Sequence, residues 1–293
     1  MSLLPSATEI AFALGLGDDL VGVTFECDFP PAARSKRIVS TSGLADGLTP
    51  GEIDAVVKER MAAGDDLYHL DAGALGDLDP ELVLTQDLCA VCAIDVTEVD
   101  DALTHLACSA EVVTLDPMTL DEVIASIGLV GAATGRRDEA DALRTTLRRR
   151  LDDLAVRLAG VPRRPTLVLE WTDPAFTAGH WVPDLVEAGG GRSLLGRPGE
   201  HSVGVEWDKI RGCDAEVVVV APCGFGLEDA CSLADDVVAA DRVPPGAEVW
   251  AVDADSYMVR PGPRVVTGAE ILAGVLHPGV VGPPDAAAAR RIG

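Results

Sequence analysis

Apolar and polar positions along this chain follow two alternating periods. Short strand-like runs occur at residues 20–24, 37–40, 67–70, 82–85 and 111–115, and again at 166–170, 216–221 and 248–252. Runs of this length predict strands, and Val217, Val218, Val219 and Val220 in succession predict one covered on both faces of a parallel sheet. Between the runs, apolar residues recur at three- and four-residue spacing, the mark of amphipathic helices. Strand and helix in alternation predict an α/β fold.

The longest helical stretch covers residues 119–160, with Val123, Ile127, Val130, Ala140, Leu143, Leu147, Leu151, Leu154 and Leu158 in helical register. Thr119 followed by Glu122 predicts a capping box at its start, and Gly160 and Pro162 mark its end. It reads either as one long connector or as two helices with a turn near Thr134 and Gly135. As a connector it divides the chain into an α/β lobe over 1–118, a connector helix over 119–160 and a second α/β lobe over 161–293. Residues 278–293, rich in Pro, Ala and Gly, are expected to fray. At the other end, Ser6 or Thr8 is expected to cap the first helix.

Composition narrows the function. A net charge of −25, from 48 acidic against 23 basic residues, excludes nucleic acid and anionic membrane surfaces as partners. Lysine occurs only at Lys36, Lys58 and Lys209, and an acidic, Lys-poor surface suits concentrated salt. No apolar run approaches the roughly 20 residues of a membrane span. No basic leader with an apolar run and cleavage site precedes the first strand, and an odd seven cysteines do not suit a disulfide framework. The expectation is a cytoplasmic protein, or an extracytoplasmic one if the true start lies upstream and encodes a signal.

Open parallel sheets bind ligands beyond the carboxyl ends of their strands. The loops there carry Phe25, Glu26, Cys27 and Phe29 after the first run, and Gln86, Cys89 and Cys92 after the fourth. Glu170, Trp171, Phe176, His180, Trp181, His201 and Ser202 follow the sixth, Cys223 and Phe225 the seventh, and Asp255, Tyr257 and Arg260 the eighth. In a chain only 4% aromatic, this concentration suits stacking on a large flat ligand, with a few polar groups fixing its orientation. The expected ligand contacts are Phe25, Glu26, Phe29, Gln86, Trp171, Phe176, Trp181, Phe225, Tyr257 and Arg260; the alternative for Trp171 and Trp181 is a place in the core or at the lobe interface.

Cys89 and Cys92 have Cys-x-x-Cys spacing, which suits a metal, a redox pair or burial as small apolar residues. With Cys27, Glu170, His180, His201 and Cys223 they form the expected metal set, for zinc or iron. His180 and His201, in polar or Gly-flanked loops, could ligate a cobalt ion axially or hold another transition metal, with Glu170 orienting one of them. His69, His105, Cys108, Cys213 and Cys231 read as structural. No phosphate-loop or nucleophile-elbow spacing occurs.

Several segments, in order, carry a family likeness: the opening Leu3-Leu4-Pro5-Ser6-Ala7-Thr8-Glu9 with Phe25 to Pro31, residues 78–85, Trp207 to Ile210 followed by residues 214–220, and Ser256-Tyr257 to Arg264 leading into residues 270–276. Together they resemble the class III, metal-chelate type of solute-binding protein, most closely the cobalamin-binding component of ABC importers. The resemblance implies two Rossmann-like lobes with parallel sheets, a long connector helix and a ligand cleft between the lobes. It implies a small-molecule ligand, cobalamin or another corrinoid or metal chelate, bound without catalysis. It also implies an ABC permease that docks on one carboxylate per lobe. The first such position falls near Gly73, which carries none, and the second has only Asp208, which weakens the permease partner. The rival reading is a cytosolic metal- or thiol-dependent enzyme on the same fold, built from Cys27, Cys89, Cys92, Cys223, Glu26, Glu170 and His180.

Overall fold

The structure, a computed structural model, describes residues 1–45, 47–63, 67–71, 77–86 and 110–293. The chain forms two compact units, Met1–Pro117 with Ile124–Thr145, and Met118–Val123 with Thr146–Gly293.

In the first unit, helix α1 (Pro5–Ala13) follows directly on residues 1–3, which pair on both sides. Ser2 bridges in parallel to Val23 of β1 (Gly22–Val23) and to Leu84 of β5 (Leu82–Thr85). β1 continues to β2 (Arg37–Ile38) and β5 to β6 (Glu111–Thr114), every pairing parallel. A separate antiparallel pair, β3 (Ser40–Ser42) and β4 (Tyr68–Leu70), flanks helix α2 (Pro50–Ala63) in sequence. Met1, Leu3, Val39, Leu67 and Val83 form one core cluster of this unit. α1 has no side-chain cap: Pro5 occupies its first turn, where a missing N–H costs nothing. Ser6 and Thr8 therefore fall inside the helix, buried, and neither is the cap expected of them.

Residues 119–160 are helical over most of their length but divided, as the two-helix reading has it. α3 spans Leu120–Ala133 and α4 spans Arg137–Arg157. The expected capping box opens α3: Glu122 Oε2 accepts from Thr119 N at 3.0 Å, and Thr119 Oγ1 accepts from Glu122 N at 3.3 Å. α3 ends in a left-handed closing turn. Gly135 has φ +72°, and Arg136 N reaches back to Gly131 O at 2.8 Å. This six-to-one bond is what a glycine just past a helix end permits.

In the second unit, β7 (Arg164–Thr172) turns back into β8 (Ala175–Thr177), followed by α5 (Val182–Ala188), β9 (Gly191–Ser193), β10 (Val203–Gly204) and α6 (Trp207–Arg211). Then come β11 (Val217–Val220), α7 (Leu227–Ala239), β12 (Glu248–Val252), α8 (Ala254–Tyr257), α9 (Val265–Leu276), α10 (Pro278–Val281) and β13 (Ala289–Ile292). The sheet order is β10-β8-β7-β11-β12-β13, with β9 also beside β7. β7, β11 and β12 run parallel, with Val220 opposite both Leu169 and Ala251. All four β11 valines are fully buried, each contributing roughly 1.5–3 kcal/mol over an exposed side chain. The expectation of a frayed end is corrected here. β13 pairs antiparallel with β12, Ala289 opposite Val252, because small Ala288 and Ala289 fit in buried positions. Arg290 then ties the strand to Glu228 of α7 at 2.8 Å.

Candidate functional site

The carboxyl ends of β7, β11 and β12 gather the second unit's chemistry. The ladder between β7 and β8 shifts register between Leu169 and Trp171, so Glu170 is a bulge residue. A bulge re-aims its side chain. The Glu170 carboxylate accepts from the Ser202 hydroxyl at 2.9 Å and from Gly179 N at 3.3 Å. Burial pushes its pKa above the ordinary carboxylate value, against the lowering effect of these two bonds.

Those donors flank two histidines. His180 N donates to Glu200 O at 2.6 Å, and Gly199 N donates to His180 O at 3.0 Å, so the two segments run as a short ladder. A Cβ on Gly179 would lie 2.4 Å from Ser202 N and 2.5 Å from Glu200 O, a closeness that only glycine allows. His180 itself has φ +52°. Its Nε2 stands 3.2 Å from His201 Nδ1, with the rings near perpendicular at 88°. Desolvation, and then His201, lower the His180 pKa.

An aromatic and ionic rim completes these loops. Trp171 and Phe225 meet edge to face with ring centres 5.6 Å apart. Cys223 N donates to Glu170 O at 3.1 Å and Asp255 N to Phe225 O at 3.3 Å, stitching the loops after β7, β11 and β12 together. Arg260 grips Asp255 with two bonds, of 3.1 and 2.6 Å. The Arg264 guanidinium lies 5.8 Å from the Tyr257 ring centre. Phe176 is half-buried on β8 opposite Trp171. Trp181 departs from the expected ligand contact: it is buried, and its indole N–H donates to Met258 O at 2.7 Å. It holds the loop after β12 against α5, which is the core alternative. Ser202 and Asp255, read from sequence only as loop residues, and Gly179 prove to be the groups that position Glu170, the histidines and Arg260.

In the first unit, Phe25 and Phe29 are exposed on the loop after β1 and Glu26 is half-buried between them. Gln86 is buried at the end of β5. Cys27 turns inward through the bond from its own N–H to Thr24 O at 3.1 Å. Its sulfur lies 3.0 Å from the Thr8 hydroxyl and 3.2 Å from that of Thr24, and the residue is only 2% exposed. This corrects its expected role as an accessible metal ligand. Cys89 and Cys92 lie outside the described residues. Among the described residues no three His, Cys, Asp or Glu side chains cluster to hold a metal ion. Of the expected metal set, the structure thus brings together His180, His201 and Glu170, with Glu170 supporting the segments that carry the imidazoles and its carbonyl accepting from the backbone N–H of Cys223.

Comparison with known proteins places this geometry. The family profile described as "Periplasmic binding protein" matches residues 1–243. An uncharacterized ABC transporter substrate-binding lipoprotein of Bacillus subtilis, YvrC, is 25% identical, covering 95% of this chain and 79% of the relative. The vitamin B12-binding protein of Photorhabdus laumondii is 22% identical over 93% of this chain and 85% of its own. Among solved structures, the periplasmic vitamin B12-binding protein BtuF of Vibrio cholerae superposes with a TM-score of 0.67 at 23% identity, covering 94% of each chain. A periplasmic heme-binding protein of Pseudomonas aeruginosa gives 0.73 at 17% identity, covering 100% of this chain and 96% of the other. The resemblance read from the sequence holds at the level of the family, and the chain belongs to the periplasmic binding proteins.

Proposed function

We propose that this protein binds a corrinoid of the cobalamin type at the strand-end loops, without chemistry on it, and hands it to an ABC permease. The observation that carries the reading is the Trp171–Phe225 pair at the carboxyl edge of the parallel strands. Asp255 N donates to Phe225 O, which joins this pair to the loop that carries Tyr257 and the Arg260–Asp255 ion pair. That combination suits a large ring carrying polar substituents. Phe25 and Phe29 offer a second exposed aromatic surface on the first unit's own strand-end loop. The named relatives support the ligand class, since two bind vitamin B12 and one binds heme. Asp208, exposed in the first turn of α6, is the carboxylate offered to a permease. Among the described residues no helix is long and apolar enough to cross a membrane.

Of the seven residues of the enzyme reading, Cys27 is buried and Cys89 and Cys92 lie outside the described residues. Calorimetric titration with cyanocobalamin and, separately, with hemin tests the proposal, alongside Trp171→Ala. Saturable heat with cyanocobalamin, weakened by the substitution, is the expected result. Heat with hemin alone, or with neither, overturns the corrinoid assignment.

A further inference from the structure

A cavity of about 380 Å³ lies in the second unit between α4, α9 and the loop after α10. That volume falls within the range of small-molecule sites. None of its lining residues belongs to the strand-end loops. Two ties hold its walls in place. Arg150 of α4 grips both carboxylate oxygens of Glu270 on α9, at 2.9 and 2.6 Å, and donates to Thr267 Oγ1 at 2.8 Å. Further along α4, Arg157 donates to Val281 O at 3.1 Å, joining the helix to the end of α10. The loop after α10 then lies directly against α9: a Cβ on Gly274 would stand 2.8 Å from Pro284 N. Glycine at this position lets the loop backbone close one side of the cavity.

The lining carries more chemistry than these ties use. Arg150 binds through Nε and Nη2 and Arg157 through Nη2, so the Nη1 groups of both, and Nε of Arg157, lie outside the ties. Asp153 lies one turn before Arg157 on the same face of α4. Leu154, Val281 and Pro283 add an apolar surface beside these charges. The four charged residues of the lining, Arg150, Arg157, Asp153 and Glu270, sum to zero. A free anion would approach against the chain's net charge of −25, and a free cation would meet two arginines. A net-neutral ligand that carries both signs avoids both penalties. We infer that this cavity binds a free α-amino acid with an apolar side chain. Its carboxylate sits on Arg157 and Arg150, which suit planar, charge-assisted pairing. Its ammonium faces Asp153, and its side chain lies on Leu154, Val281 and Pro283. The site stands independently of the corrinoid proposal.

The probe is L-leucine. Isocaproate, which has the same skeleton without the ammonium, and isoamylamine, which lacks the carboxylate, serve as controls. The full chain is titrated with each by calorimetry. Asp153→Asn and Arg157→Gln, both at exposed positions, are titrated with L-leucine after circular dichroism confirms that they fold. The expected result is one equivalent of L-leucine bound by the parent chain. Each control, and L-leucine on each variant, should bind at least about tenfold more weakly, the loss of one charge-assisted contact. The controls are read on the parent chain, so they decide the matter even where a variant does not fold. Absence of saturable heat with L-leucine, equal binding of either control, or undiminished binding by a folded variant overturns the site. Cyanocobalamin heat measured on the same proteins reports separately on the corrinoid proposal.

Discussion

Replacing Gly131 by alanine sets two effects of opposite sign against each other. In an open helix interior, alanine is favoured over glycine by about 1 kcal/mol. Gly131 is not in the open, because α4 passes beside it. A Cβ there would stand 2.4 Å from the Cβ of Ala140 and 2.9 Å from the Arg136 carbonyl oxygen, well inside the roughly 3.5–4.0 Å separation at which carbon atoms attract. α4 cannot simply retreat, since Arg136 N is bonded to the Gly131 carbonyl at 2.8 Å. Overpacking of this kind costs about 1–3 kcal/mol, so Gly131→Ala should lose up to roughly 2 kcal/mol after the propensity gain. Urea unfolding followed by far-UV circular dichroism measures it. Ala140→Gly alone should lose about 1 kcal/mol by propensity. In the double variant the worse contact disappears, so the two losses should not add. Recovery stays partial, because the Arg136 carbonyl remains close. Stabilisation by Gly131→Ala, or strict additivity of the pair, would refute the close approach of the two helices.

How far the fold and site could be read beforehand depended on where the deciding interaction lies. β11 was legible because a buried parallel strand needs apolar side chains on both faces, and Val217 to Val220 supply them. The start of α3 was legible because Thr119 and Glu122 satisfy each other's backbone within three residues. β13 was not: Ala289–Ile292 carries two arginines, and its strand character comes from β12, whose edge it completes from more than thirty residues away. The same holds within the site. Which loops lie at the strand ends followed from the strand pattern, but which way each side chain faces did not. Trp171 and Trp181 look alike in sequence, yet one meets Phe225 at the rim and the other bonds Met258 in the interior. Cys27 sits between exposed phenylalanines and is turned inward by the Thr24 turn. The pairing of His180 with His201 depends on the bulge at Glu170, which no local pattern announces.

Three further perturbations test these placements. Trp181→Ala should lose about 3–5 kcal/mol in urea unfolding, whereas Trp171→Ala should cost less; the reverse order would show that Trp181 is not the buried anchor. In the folded protein, iodoacetamide followed by mass spectrometry should label half-exposed Cys223 and spare Cys27 until unfolding, and native labelling of Cys27 would contradict its enclosure by Thr8 and Thr24. The last concerns Asp184, whose carboxylate accepts from Leu120 N at 2.9 Å at the start of α3. Burial raises its pKa above the ordinary 3.8, and the charges of Asp121, Glu187 and Glu122 add to the shift, outweighing the lowering by the hydrogen bond. A carboxyl whose folded pKa is raised binds its proton more tightly in the folded state. Its contribution to stability is therefore full below the unfolded value and is lost as pH rises through the folded one. Asp184→Asn keeps an oxygen for Leu120 and removes the charge. The variant should match the parent at low pH, where the parent is protonated, and exceed it in stability above the raised value. Unfolding measured across that range at high salt screens the chain's general negative charge and leaves the desolvation in place. A difference that does not change with pH, or a variant less stable at neutral pH, would show that the ionised carboxylate is stabilising where it stands.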